Sequence, residues 1–412
     1  MSSAPPAAYP TAAGWPAAAL AYCSNVHPGE TLDELLATLA GPVAAVRARR
    51  ELPRMAGGLW IAADAAHALD GSAAARGRLA TALDDAGIDL VTLNGFPYGG
   101  FHAASVKHAV YRPDWTEPQR LDYTLALARV LAALLPPWAE EGTISTLPLG
   151  QARGWGKARS DRSAAALCRL AGDLAEIEAR SGRRVRVCLE PEPGCVLESA
   201  EQVARFFSVE LPAAADYLGV PPALLERHLG VCFDVCHQAV MFEDVARSLA
   251  LLLAAGITVG KIQLSSALEV PNPGNPETRA QLARYAEPRY LHQVRAPGTG
   301  GVLLGSDDLD PALADPLLVT SAPWRVHFHV PLQATRLAGE RLATTRAALE
   351  RTLAWLQITP HCRPHLEVET YTWEVLPASE RPADAAALVD GIAGELAWVE
   401  QALHRRGLLV AP

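Results

Sequence analysis

The sequence predicts an α/β protein that folds as a single closed (β/α)8 barrel over residues 1–412. Short apolar runs rich in β-branched residues alternate with Ala-, Leu- and Arg-rich segments of helical spacing, and no linker or charged run divides the chain. Apolar strands that are each followed by a helix indicate a parallel sheet covered on both faces. About eight such units in one chain favour a closed barrel over an open sheet.

Nine segments have the composition of buried strands, one more than the barrel needs. They are residues 20–24, 58–62, 89–94, 143–147, 185–190, 230–235, 260–265, 326–330 and 366–370. The chain between about residues 270 and 332 is rich in Pro, Gly and Asp, so we expect an irregular excursion from the barrel there. The candidate strand at 326–330 is expected to belong to this excursion.

Helices are predicted between the strands from their apolar spacing and their end signals. Thr31 and Glu34 form a capping-box pattern, and Gly87 and Gly182 are typical helix stops. The predicted helices are one that opens at Thr31 and those over residues 72–86, 161–181, 340–357 and 383–406.

Composition narrows the class of protein. Half of the residues are hydrophobic and the formal net charge is -9, so we expect a folded protein that does not bind nucleic acid. The seven cysteines are scattered, which indicates a reducing compartment, and we expect a cytoplasmic protein. No apolar run reaches the roughly 18–20 residues needed to cross a bilayer, so no membrane insertion is expected. We also expect a monomer.

Acidic and imidazole side chains follow the predicted strands, at the end of a parallel barrel where active sites lie. Carboxylate and imidazole ligands together suit Mn²⁺, Mg²⁺, Zn²⁺ or Co²⁺, so we expect a divalent metal site. The candidate ligands are Glu190, Asp234, Glu369, His237, His327 and His329.

Two of these assignments have a rival two residues away. Side chains on a strand repeat every two residues, so Glu190 shares a face with Glu192, and Glu369 shares one with Glu367. We favour Glu190, which closes an uninterrupted strand, and Glu369, which lies nearer the end of its strand. The ordinary alternative, an ion-paired carboxylate or a buried core histidine, stays open for each residue taken alone.

The pattern of strand ends resembles that of the xylose-isomerase-like TIM barrels, a superfamily of sugar isomerases, ketose 3-epimerases and endonuclease IV. The resemblance rests on Leu-Glu-Pro at Glu190, Asp-x-x-His from Asp234 to His237, and the late strand-borne Glu369. Four longer phrases resemble the EboE group of metabolite traffic proteins within that superfamily. They lie at residues 22–31, 94–99, 326–332 and 367–373, and the resemblance extends from about residue 20 to 405.

The resemblance implies that Glu190, Asp234 and Glu369 bind a metal ion. The fourth ligand of the superfamily is usually a histidine on the seventh strand, but Gln263 occupies that position here and is the candidate ligand there. An amide is a poorer ligand than imidazole. We therefore expect His237, His327 or His329 to complete the ligand set.

Three functions are compatible with these residues. The leading one is a divalent-metal-dependent isomerase or epimerase of a sugar, cyclitol or related small polyhydroxy metabolite, in which Glu190 and Glu369 transfer the proton. The alternatives are a metal-dependent phosphodiesterase of the endonuclease IV type and a non-catalytic metabolite-binding protein. One ion per chain would support the isomerase, two or three the phosphodiesterase and none the binding protein. The residues expected to hold substrate hydroxyls are Asn25, His27, Asn94, Tyr98, His102 and Lys107, with Trp373 as a flat wall.

Overall fold

The computed structural model describes residues 14–411, and its central feature is a barrel of eight parallel strands. The strands follow chain order around the barrel, and a parallel bridge between Cys23 and Gly58 joins the first to the second. The predicted (β/α)8 barrel is therefore confirmed. The strands are β1 (Ala21–Tyr22), β2 (Met55–Trp60), β3 (Ile88–Asn94), β4 (Glu141–Thr146), β5 (Arg184–Leu189), β6 (Leu229–Asp234), β7 (Val259–Leu264) and β8 (His365–Val368).

Helices surround the barrel, and their ends follow the predicted signals. Thr31 and Glu34 form a complete capping box, Ser72 caps the helix that ends before Gly87, and Gly87 and Gly182 adopt left-handed conformations. The α-helices are Leu32–Thr38, Ala44–Arg49, Ala63–Gly71, Ala73–Ala86, Pro118–Leu134, Lys157–Ser181, Ala200–Arg205, Leu211–Leu218, Pro222–His228, Val235–Val240, Val245–Ala254, Pro276–Leu282, Leu309–Ala314, Pro316–Val319, Arg346–Ile358 and Ala385–His404. Among residues 14–411, no helix is long and apolar enough to cross a membrane.

The segment between β7 and β8 forms a second sheet, which we call the insertion sheet. It contains six antiparallel strands, and the predicted strand at 326–330 belongs to it, as expected. Apart from the predicted strand, its strands have four residues or fewer and are separated by turns, so the sequence does not reveal them. In spatial order the strands are Leu303–Ser306, Val294–Pro297, Trp324–His329, Ala267–Val270, Leu342–Thr344 and Arg336–Leu337.

The predicted start of the helix over residues 340–357 is wrong. Residues Ala338, Gly339 and Glu340 have positive φ angles and turn the chain between the last two insertion strands. This hairpin uses residues up to Thr344, so the helix begins only at Arg346. Hairpin pairing overrides the helical propensity of Glu340.

A buried ion pair lies inside the barrel. Lys261 Nζ on β7 is 2.6 Å from Glu367 Oε2 on β8, and both side chains are fully buried. Gly58 on β2 makes room for the carboxylate, because a Cβ atom there would lie 1.6 Å from Glu367 Oε1. Glu367 is thus neutralised by a partner within the barrel core.

Replacing Glu367 should mainly affect stability. We expect Glu367→Gln to lower the free energy of unfolding by about 3–5 kcal/mol, because the ammonium of Lys261 would remain buried without its partner. Urea unfolding measures the loss, with Asp161→Asn as the control, since Asp161 forms an exposed pair with Lys157. Equal stability of the two variants would contradict the buried pair.

Candidate functional site

Three carboxylates meet at the C-terminal end of the barrel. Glu190 follows β5, Asp234 ends β6 and Glu369 follows β8, and all three side chains are buried. One oxygen from each lies within 4.8 Å of the other two. The barrel register thus brings together three predicted ligands whose positions span 180 residues of sequence.

The protein holds one oxygen of Asp234 and leaves the other free. Asp234 Oδ1 accepts hydrogen bonds from the His237 backbone N–H at 2.8 Å and from Ser265 Oγ at 2.9 Å. Among the described residues, buried Asp234 Oδ2 and Glu190 Oε2 have no hydrogen-bond partner. Buried carboxylate oxygens are rarely left unpaired, so these two atoms fit a cation.

Two asparagines orient Glu369. Its Oε1 accepts hydrogen bonds from Asn25 Nδ2 at 2.7 Å and from Asn94 Nδ2 at 3.0 Å. Both asparagines are predicted to hold substrate hydroxyls, and in the structure their amide groups instead hold this carboxylate. They line the same cavity as Glu369.

The electrostatics of the three carboxylates favour a proton or a cation. Burial, and then repulsion from Glu369 and Asp234, raises the pKa of Glu190 well above its usual range. Burial and repulsion from Asp234 and Glu367 raise the pKa of Glu369 to about 8, although Lys261 and Asn25 oppose the shift. A bound divalent ion would reverse this penalty by pairing with the ionised forms.

Three histidines lie beside the carboxylates. His237 and His327 face each other with their Nε2 atoms 3.1 Å apart. The His329 ring lies 5.8 Å from that of His237 and 5.4 Å from that of His327. Two further groups of potential ligands result, namely Asp234, His237 and His329, and Cys236, His327 and His329.

Hydrogen bonds assign the tautomer of each histidine. A carbonyl oxygen only accepts, so each Nδ1 that faces one carries a proton, and in the neutral form of the ring the lone pair is on Nε2. The three contacts are His237 Nδ1 to the Pro191 carbonyl at 3.0 Å, His327 Nδ1 to Gln293 Oε1 at 2.7 Å and His329 Nδ1 to the Glu369 carbonyl at 2.8 Å.

This arrangement suits metal binding. Burial and the neighbouring histidines lower the pKa of His327 well below its usual range, and burial lowers that of His329 to about 4. The Nε2 atoms of His237 and His327 lie so close together that they need a proton or a metal ion between them. A carbonyl partner on Nδ1 is the usual support of a metal-binding histidine, and His329 Nε2 is buried without a partner among residues 14–411.

Gln263 lies in the barrel beside these groups. Its Oε1 accepts a hydrogen bond from Cys232 Sγ at 3.1 Å, and its Nε2 has no partner among the described residues. One lone pair of the amide oxygen is therefore engaged by a thiol, and an amide N–H cannot coordinate. His329 is better prepared to supply a fourth ligand.

Glu190, Glu369 and the three histidines form the floor of a cavity at this end of the barrel. Lys107 lines it as predicted for a substrate contact, but its Nζ lies 2.6 Å from Asp308 Oδ2 and 3.2 Å from the Glu287 carbonyl. Glu192 also lines the cavity, and its Oε1 accepts from the Tyr111 hydroxyl at 2.9 Å.

Four predicted substrate residues have other surroundings. His27 Nε2 lies 3.1 Å from the Tyr22 hydroxyl, and Tyr98 packs edge-on against Tyr123. His102 packs against Trp60 and Phe101, and burial lowers its pKa to about 4. Trp373 Nε1 donates to Glu395 Oε2 at 3.0 Å. These residues follow strand ends in sequence, but the loops direct their side chains into the surrounding structure.

Sequence reasoning missed Tyr111 and Gln293 as site residues. The Gln293 amide nitrogen lies within hydrogen-bond distance of the Tyr111 hydroxyl, Glu192 Oε1 and the Pro193 carbonyl, and its oxygen faces His327. Both residues lie outside the barrel strands, so the strand-end criterion could not find them.

No protein-family model and no curated protein matches the chain. Solved structures that match include a xylose isomerase domain protein from Planctomyces limnophilus, at 13% identity over 94% of this chain and 96% of that chain, with a TM-score of 0.48. Another is a proposed sugar phosphate isomerase/epimerase from Anabaena variabilis, at 14% identity over 94% and 98%, with a TM-score of 0.47. A third is IolI with a bound zinc atom, at 12% identity over 58% and 70%, with a TM-score of 0.35. We assign the barrel fold from the strand order of this chain.

Loss of Asp234 should weaken metal binding, because Asp234, like His329, belongs to two of the three ligand groups. We expect Asp234→Asn to weaken divalent-ion affinity at least tenfold, since an amide is neutral and ligates weakly. Titration with Mn²⁺ or Zn²⁺ measures the change, and Asp244→Asn, which removes only the charge of a helix-capping side chain, is the control. Unchanged affinity would exclude Asp234 from the site.

In the metal-free protein, Glu369 should make stability depend on pH. Its pKa is about 8 in the folded chain and about 4.3 in an unfolded one. The folded state therefore binds the extra proton between these values, and the stability from protonated Glu369 is lost as pH rises towards 8. We expect Glu369→Gln to gain stability relative to the wild type between pH 5 and pH 8 in urea unfolding with EDTA. A pH-independent difference would contradict the raised pKa.

Proposed function

We propose that this chain is a divalent-metal-dependent isomerase or epimerase of a small polyhydroxy compound, xylose-isomerase-like and closest in kind to the EboE group. The observation that carries the proposal is the group of three buried carboxylates at the C-terminal end of the barrel, Glu190, Asp234 and Glu369, the first two of which have an oxygen with no partner among the described residues. Such a group costs free energy unless it binds a cation or a proton. Isomerisation and epimerisation of hydroxy-carbonyl compounds use both.

Each carboxylate has a role in this proposal. A divalent ion held by Glu190, Asp234 and Glu369 would supply Lewis-acid stabilisation of adjacent substrate oxygens. Glu369 would take a proton from substrate carbon, with its Oε1 fixed by Asn25 and Asn94 and its Oε2 left for the transfer. Glu190 would give a proton to the substrate, or take one from it, through Oε2, which has no hydrogen-bond partner among the described residues.

A second candidate, a metal-dependent phosphodiesterase with two or three ions, is favoured by one observation. The Nε2 atoms of His237 and His327 lie 3.1 Å apart, so as neutral rings they could hold a cation in addition to the one bound by the carboxylates. The net charge of -9 argues against a nucleic-acid substrate.

A non-catalytic metabolite-binding role is the third candidate. Metal stoichiometry separates them: one ion per chain for the isomerase, two or three for the phosphodiesterase and none for the binding protein.

The cellular setting is also a proposal. All seven cysteines are unpaired and buried, which supports a reducing compartment, and we propose the cytoplasm. We propose a monomer, because one chain supplies all the ligands of the candidate site.

Proton exchange tests the proposed reaction. The metal-loaded protein is incubated in D2O with a panel of ketoses and cyclitol ketones, and deuterium incorporation at carbon is followed by NMR. We expect Glu369→Gln to reduce exchange at least a thousandfold, because glutamine cannot accept the proton. Metal content should be compared in the same samples.

Two variants decide the assignment. Glu374→Gln changes an exposed carboxylate five residues further along and should leave exchange unchanged. Exchange that survives in Glu369→Gln but disappears in a folded Glu367→Gln protein would move the role to Glu367. Exchange by the wild type that neither substitution affects would overturn the proposed mechanism.

A further inference from the structure

The cavity above the candidate metal site has an aromatic wall. The rings of Phe101, Tyr290 and Tyr371 contact one another with centroids 5.0–5.5 Å apart, and all three residues line the cavity. The ring of Tyr371 also lies 4.7 Å from that of His329, so the aromatic wall adjoins the candidate metal ligands. These three rings therefore give the cavity an apolar wall beside its polar floor.

The same cavity offers no free cation. Its lining includes the carboxylates of Glu190, Glu192 and Glu369, and its lysine, Lys107, is paired with Asp308 at 2.6 Å. Among residues 14–411, no arginine lines it. Phosphate groups are usually bound by free Arg or Lys side chains or by backbone N–H groups at a helix N-terminus. A phosphorylated substrate would therefore meet uncompensated negative charge.

We propose that the substrate is a non-phosphorylated polyhydroxy compound that carries an aromatic ring. This inference rests on the proposed function, because the polar end of the substrate is assigned to the metal site. The hydroxyl-bearing end lies on the floor, and the ring packs against Phe101, Tyr290 and Tyr371 in the tilted and edge-on geometries that aromatic groups prefer. The apolar wall and the convergent polar floor thus recognise different parts of one ligand.

Three hydroxamates test this inference, because they share a metal-chelating head and differ only in the attached group. Benzohydroxamate carries a phenyl ring, acetohydroxamate a methyl group and phosphoglycolohydroxamate a phosphate. Calorimetry with the metal-loaded protein should show benzohydroxamate binding at least tenfold more tightly than acetohydroxamate. Phosphoglycolohydroxamate should bind no more tightly than acetohydroxamate.

Variants locate the preference on the aromatic wall. Tyr290→Ala should reduce the benzohydroxamate advantage to less than threefold while leaving acetohydroxamate affinity and metal content unchanged. Phe101→Leu, which keeps an apolar side chain of similar size, should reduce the advantage with less risk to folding. Tyr217→Ala is the matched control, because Tyr217 is 90% exposed on the helix Leu211–Leu218, and it should bind as the wild type does.

The possible failures are distinguishable. Equal affinity for benzohydroxamate and acetohydroxamate would overturn the aromatic substrate while leaving the metal site intact. Tighter binding of phosphoglycolohydroxamate than of acetohydroxamate would overturn the exclusion of phosphate. No binding of any hydroxamate to protein that retains its metal would overturn the proposed function, and this inference with it.

Discussion

The organisation of the site depends on the electrostatic cost of placing Glu190, Asp234 and Glu369 together in a buried space. Like charges within 4.8 Å in the interior of a protein repel strongly unless a proton or a counter-ion compensates them. The barrel forces the contact, because three different strands end at the same point. The surrounding groups lower the cost without removing it, since two carboxylate oxygens still lack a partner among the described residues.

A comparison of Glu367 with Glu369 shows how neighbouring positions acquire different roles. The two side chains share one face of β8, but Glu367 lies deeper and faces Lys261, whereas Glu369 lies at the strand end and accepts from two asparagine amides. The Glu367 carboxylate is paired with the Lys261 ammonium group and contributes to the barrel core. The Glu369 carboxylate has neutral donors only, so its charge remains available for a metal ion or a proton.

Local sequence patterns were sufficient to predict the barrel, but they could not predict which residues surround the three carboxylates. Apolar runs and helix caps act over a few residues, so the strand alternation and the positions of Glu190, Asp234 and Glu369 could be predicted. The contact of Asn25 with Glu369 joins residues 344 positions apart. Lys107 was expected to contact substrate, yet the insertion supplies Asp308 as its partner. Such contacts depend on how the loops and the insertion sheet pack, and no local pattern encodes that packing.

The most direct test of the metal site is a crystal structure of the protein soaked with Mn²⁺ or Zn²⁺, with the ion located by anomalous scattering. We expect an ion bound at once by Glu190, Asp234 and Glu369, with ligand distances of roughly 2.0–2.4 Å. An ion bound elsewhere in the chain, or three carboxylates that remain protonated and ion-free at saturating metal, would contradict this expectation.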